Sequence, residues 1–119
     1  MDARTLGNFG EEQAARYLRR KGYRIVERNF RCRQGEIDLI ASKGEYVVFV
    51  EVKLRKDDGH GAAREFVTRS KQTKILTTAG LWLSRTQMPL QPRFDVIEVY
   101  APQGRFGLVR IEHLEDAFS

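Results

Sequence analysis

Residues 35–55 read GEIDLIASKGEYVVFVEVKLR, and the fold turns on how this stretch is paired. Tyr46 to Lys53 is rich in β-branched and aromatic residues, Glu36 to Ala41 forms a second such run, and Ser42-Lys43-Gly44-Glu45 has the composition of a hairpin turn between them. Successive strand side chains point to opposite faces, so Val48, Val50 and Val52 share one face and Val47, Phe49, Glu51 and Lys53 the other. Glu51 and Lys53 are then neighbours about 6.6 Å apart, twice the roughly 3.3 Å rise per residue. On the preceding strand Glu36, Asp38 and Ile40 share a face, with Ile37, Leu39 and Ala41 on the other. Folded antiparallel about Lys43-Gly44, the strands bring Asp38 alongside Glu51, because both lie equally far from the turn. Two carboxylates facing each other across a hairpin repel. A divalent cation removes that penalty, and carboxylate and carbonyl oxygens with water are what magnesium or manganese prefers. A strand that runs out of the core and ends on a cross-strand ion pair accounts equally for Glu51 and Lys53 taken alone.

Upstream, Ala14, Ala15, Tyr17 and Leu18 recur at helical spacing from about Asn8 to Lys21, and Gly22 supplies the stop. At about 100° per residue, with Glu11 at zero, Ala15 lies near 40°, Leu18 near 340° and Ala14 near 300°. Glu11 therefore sits in the apolar stripe and Glu12 toward its rim. A carboxylate aimed at a core needs a cation or hydrogen bonds; alternatively, Glu11 lies early enough in the helix to face water and favour its N-terminus. Tyr23 to Arg28 reads as a strand. Downstream, Lys56 to Gly61 has loop composition, and a second helix is predicted over Arg69 to Arg85, capped by Thr68, with Ile75, Leu76, Ala79, Trp82 and Leu83 inward. Phe94 to Tyr100 and Phe106 to Ile111 complete the strands. The order helix, three strands, helix, two strands predicts one α/β domain over 1–119, a mixed central sheet flanked by helices.

The chain's 119 residues, 41% of them hydrophobic, suit one core. No apolar run approaches the roughly 20 residues of a membrane span, and MDARTLGNFGEE places acids and glycines where a signal peptide needs an apolar stretch. The lone Cys32 leaves no disulfide or zinc framework. A cytoplasmic protein with no membrane partner is expected. The formal charge of +5 and a pI near 9.7 make nucleic acid a natural partner, although solvated faces use the same residues. His60 and His113 read as surface residues, and Asp95 beside Arg93 as a strand-edge ion pair. No Gly-x-Ser-x-Gly turn and no phosphate-cradling glycine loop occurs.

Glu11, then Asp38, then Glu51-Val52-Lys53 resembles, in order, the PD-(D/E)xK nucleases of the restriction-endonuclease-like superfamily. More closely, GEEQAARYLRRKGY, RNFRCRQGEIDLIA, FVEVKLR and RFDVIEV resemble the bacterial YraN family, uncharacterised protein family 0102, over nearly the whole chain. That family is similar to archaeal Holliday-junction resolvases in motif order. The resemblance implies a restriction-endonuclease-like fold and a metal-dependent endonuclease acting on double-stranded or branched DNA in repair or recombination, with a possible homodimer. It matches Asp38 to the first motif acid, Glu51 to the second, Lys53 to the motif lysine and Glu11 to the helix glutamate. Ile37 stands where the superfamily often has proline. Asp38, Glu51, the Val52 carbonyl and Glu11 would hold one or two Mg2+ or Mn2+ ions, Glu36 is a further candidate ligand, and Lys53 would orient the attacking water. Arg55, Lys56, Arg31, Arg33 and Lys71 would grip the phosphate backbone. Lys71 and Gln72 could instead steady a water or lie on a plain helix surface. The alternative to an enzyme is a nucleic-acid-binding or adaptor protein that keeps the nuclease fold without turnover.

Overall fold

The structure is a computed structural model that describes residues 3–55 and 67–118. Its elements are α1 (Ala3–Arg20), β1 (Arg24–Cys32), β2 (Gly35–Lys43), β3 (Tyr46–Arg55), α2 (Arg69–Thr86), β4 (Gln91–Tyr100), a short 3-10 turn (Gly104–Phe106) and β5 (Arg110–Leu114). The five strands form one sheet in the order β1-β2-β3-β4-β5. Only β3 and β4 run parallel, joined through the segment that contains α2; the other neighbours are antiparallel, so the sheet is mixed. The predicted α/β architecture is the observed one. Among the described residues, no helix is long and apolar enough to cross a membrane. Residues 56–61, read from composition as a loop and including His60, lie outside the described residues.

Strand alternation sorts the core onto two sides of the sheet. Val48 and Val50 of β3 pack with Leu39, Ala41, Ile97 and Val99 against Ala14, Ala15 and Leu18 of α1. Val47 and Phe49 pack with Ile40, Phe94 and Val96 against Ile75, Ala79 and Trp82 of α2. The Phe49 ring stands edge-on to Trp82 at 5.6 Å and stacks on Phe94 at 5.4 Å, geometries that aromatic quadrupoles favour.

Both helices end as their sequences require. After α1 the Gly22 backbone turns left-handed (φ 91), which lets the Tyr23 amide donate to the Leu18 carbonyl at 2.9 Å and close the last turn. At the start of α2 the Thr68 hydroxyl accepts the Lys71 amide at 3.2 Å, the expected cap.

Four expectations are corrected. The last strand begins at Arg110 and not at Phe106, which belongs to the 3-10 turn; Phe106 and Leu108 are 94% and 89% exposed, so their alternation reflects no buried face. His113 is not a surface residue. Its side chain is 8% exposed, and its two ring nitrogens meet Asp95 Oδ2 (2.7 Å) and the Tyr17 hydroxyl (3.1 Å). Asp95 does pair with Arg93, through two bonds of 2.9 and 2.8 Å, but it is wholly buried on β4 and not at a strand edge. Finally, Ile37 joins Phe30 and Ile40 in the cluster under α2 and not Leu39 and Ala41. The β1–β2 register passes from Arg28↔Leu39 to Phe30↔Ile37, stepping over Asn29 and Asp38, and Asn29 is left-handed (φ 54), so strict alternation breaks where Asp38 stands.

Candidate functional site

The β2–β3 ladder runs from Lys43↔Tyr46 to Leu39↔Val50 and stops there. The next residues on either strand are Asp38 and Glu51, the pair expected from their equal distance to the turn. Instead of continuing the ladder, Asp38 turns its carboxylate on the neighbouring backbone, and its Oδ2 accepts the Val52 amide at 2.8 Å. Val52 thus meets the site through its N–H.

Glu51 is 7% exposed and reaches the α2 side, where its Oε1 lies 2.5 Å from the Lys71 ammonium. Glu36, Asp38, Glu51, Lys71 and Lys74 line a cleft of about 150 Å3 beside Gly35. Gly35 sets its width: a Cβ there would stand 3.0 Å from Thr78 Oγ1, so the missing side chain lets α2 approach β2.

The electrostatics of Asp38 follow from this crowding. Burial pushes its carboxyl up to about 7, the Glu51 charge pushes the same way, and Glu11 and Glu36 add to it, while the Val52 amide acts in opposition. Burial would lower the Lys71 ammonium, but the bond to Glu51 and the charges of Glu51, Asp38 and Glu36 outweigh it and hold Lys71 above the usual lysine value.

The predicted residues separate into those that meet and those that do not. Asp38 feels the charges of Glu51, Glu11 and Glu36, so the helix acid and the hairpin acids share one region. Glu11 is half-buried on α1, next to Gly10, whose backbone lies against Val52 and Leu54. Lys53 is half-buried two residues beyond Glu51 on β3, level with Glu98 of β4. Arg31 and Glu36 pair across β1–β2 at 2.6 Å, both exposed at the cleft's edge. Arg33 is exposed in the β1–β2 turn. Arg55, expected on the phosphate-binding face, is 19% exposed and turns toward the buried Glu98 at 3.4 Å. Gln72 donates to the Val67 carbonyl at 2.8 Å, bracing the start of α2. Lys56 lies outside the described residues.

Two contributors were missed. Lys74 lines the cleft one helical turn from Lys71, a neighbourhood that i,i+3 spacing offers only once α2 is known to cover this end of the sheet. Gly35 reads in the sequence as a turn glycine, and its close approach to Thr78 is visible only across the two elements.

The donor set is all oxygen on the strand side, faced by two ammonium groups, Lys71 and Lys74, on the helix side. Among the described residues no three acidic, histidine or cysteine side chains are gathered tightly enough to enclose an ion. Magnesium does not require such a cage: it keeps several waters and is often held by one or two carboxylates. Asp38 and Glu51 fit that mode, and the Lys71 ammonium already stands as a cation against one of them.

A mixed-sheet α/β domain with an acid-lined cleft where two antiparallel strands part defines the class of protein. The chain belongs to the uncharacterised protein family UPF0102, whose match covers residues 10–99. It is 43% identical over 119 residues to a UPF0102 protein of Caldanaerobacter subterraneus subsp. tengcongensis, covering 99% of this chain and 98% of the relative. A UPF0102 protein of Rhodococcus opacus is 46% identical over 115 residues, with 96% of each chain covered. One from Herminiimonas arsenicoxydans is 46% identical over 98 residues, covering 82% of this chain and 79% of the relative.

Proposed function

We propose that this protein is a metal-dependent endonuclease that hydrolyses DNA phosphodiester bonds, branched and repair intermediates among them. Asp38 carries the reading. Three other acids, Glu51, Glu11 and Glu36, act by their charge on its half-buried carboxylate, and among the described residues the hydrogen bond it accepts comes from the Val52 amide and not from a cation. An acid kept for stability alone is met directly by cations, as Glu12 is by Arg28 at 3.0 Å and Arg16 at 3.4 Å.

In this reading Asp38 and Glu51 hold the ion, with Glu11 and Glu36 enriching the negative field behind them. A magnesium or manganese ion bound there would supply a Lewis acid for a phosphodiester oxygen and make a bound water more acidic than bulk water. Lys53, on the same strand as Glu51, orients the attacking water and offsets charge gathering on the phosphoryl group. Arg31, Arg33 and Lys74 around the cleft hold the phosphate backbone without reading bases. Arg55, turned to Glu98, is assigned to stability instead.

The test is cleavage of supercoiled, nicked, flapped and four-way-junction DNA with Mg2+ or Mn2+. The parent is expected to cut at least one substrate, and Asp38→Ala and Lys53→Ala to fall to background while still retaining DNA. Equal rates for the parent and both variants would overturn the assignment. The Lys71–Glu51 pair favours a second reading, a DNA-binding adaptor whose acids are already neutralised. It would be identified by DNA retention in a parent that cuts none of the four substrates with either metal.

A further inference from the structure

We infer that Lys71 is a built-in surrogate for the divalent ion: its ammonium occupies the Glu51 side of the acidic cleft, and ion and lysine exclude each other there. The inference rests on the proposed reading of the cleft as an ion site and adds how that site is loaded. Two observations carry it. The contact is close, with Nζ 2.5 Å from Glu51 Oε1, and two positive centres do not share that oxygen cheaply. The partners differ in freedom: Glu51 is 7% exposed on a central strand, whereas Lys71 is 46% exposed and reaches in from the first turn of α2 on a flexible stem. Removing the lysine therefore leaves the acids in place, and moving it aside breaks only a half-exposed ion pair, a small cost.

Lys71 thus makes the metal-free protein stable at the expense of ion affinity. With the ammonium in place, acids that would otherwise repel one another are held together. When an ion arrives, it must displace the ammonium.

Mn2+ binding, read by loss of the free-ion electron paramagnetic resonance signal at pH 8, tests this without reference to cleavage. Lys71→Met is expected to bind Mn2+ about fivefold tighter than the parent, the factor set by losing one half-exposed ion pair. Its metal-free melting temperature should fall, and saturating Mn2+ should restore it. Lys74→Met controls for net charge: Lys74 lines the same cleft with no ion pair to either acid among the described residues, and less than a twofold change is expected. Measurable but equal affinities in parent and Lys71→Met, weaker binding in Lys71→Met, or an equal gain in both variants would overturn the surrogate role and leave the ion site standing. Absence of Mn2+ binding in all three proteins would overturn the ion site and the surrogate role together, leaving Lys71–Glu51 a fixed structural pair.

Discussion

A carboxylate kept where two strands part is costly while it is charged, and Asp38 illustrates the cost. Its carboxyl is pushed up to about 7 by burial first and by the Glu51 charge second, so between the unfolded value near 4 and about 7 the native state binds the extra proton. Stability of the metal-free protein is therefore expected to be greater at pH 5 than at pH 8, the reverse of an acid held by a cation. Asp38→Asn keeps an acceptor for the Val52 amide and removes the charge. It should raise the melting temperature at pH 8 by about 5 °C, roughly 1 kcal/mol for a chain of this size, and flatten the slope between pH 5 and 8. Thermal melts of both proteins across that range check it; an unchanged slope would show that Asp38 does not carry the effect. Gaining stability while losing cleavage is the usual signature of a site built at the fold's expense. At this scale the sequence was informative about Asp38 and Glu51, because strand alternation and an equal distance from one turn are local facts. It was silent about Arg55, whose partner Glu98 comes from another strand.

At the scale of elements, α2 both seals one side of the sheet and delivers Lys71 to the cleft. Its first turn is set by Thr68, whose hydroxyl accepts the Lys71 amide at 3.2 Å, so cap and site share a residue. Thr68→Ala should cost about 1 kcal/mol of unfolding free energy in urea. A cost near that of the buried Phe49, about 3–5 kcal/mol on truncation to alanine, would instead mean that the cap props up the whole helix. The extent of α2 was legible almost to the residue, since a cap, an apolar stripe and a following proline bracket it. The end of the chain was not. Phe106 and Leu108 alternate as a strand would, yet they stand 94% and 89% exposed, because pairing from Tyr100↔Arg110 to Val96↔Leu114 sets β5 further along.

For the whole molecule, a second polar centre fastens the sheet on the α1 side. Asp95 is fully buried and takes two bonds from Arg93, one from the Asp116 amide at 3.0 Å and the His113 contact at 2.7 Å, while Arg93 also donates to the Tyr23 hydroxyl at 2.6 Å. Burial alone would raise the Asp95 carboxyl, but His113, Arg93 and the Asp116 amide together hold it below its usual value, so its contribution is present above about pH 4 and lost on acidification below that. Asp95→Asn removes the buried charge that Arg93 and His113 meet, leaving the half-buried guanidinium with Glu115 at 3.2 Å, and should cost about 3–5 kcal/mol in urea unfolding; less than about 1 kcal/mol would show that the centre is dispensable.

The hairpin, the order of elements, the two apolar faces of β3 and the meeting of Asp38 with Glu51 are readable from the chain alone. Each of these follows from periodicity and turn chemistry acting over a few neighbouring residues. That Lys71 closes on Glu51, that Arg55 turns inward to Glu98, that His113 is buried against Asp95 and that Ile37 leaves its alternating partners is visible only in the folded molecule. Those outcomes depend on which surfaces pack together, and residues distant along the chain carry no local mark of the neighbours that packing will assign them.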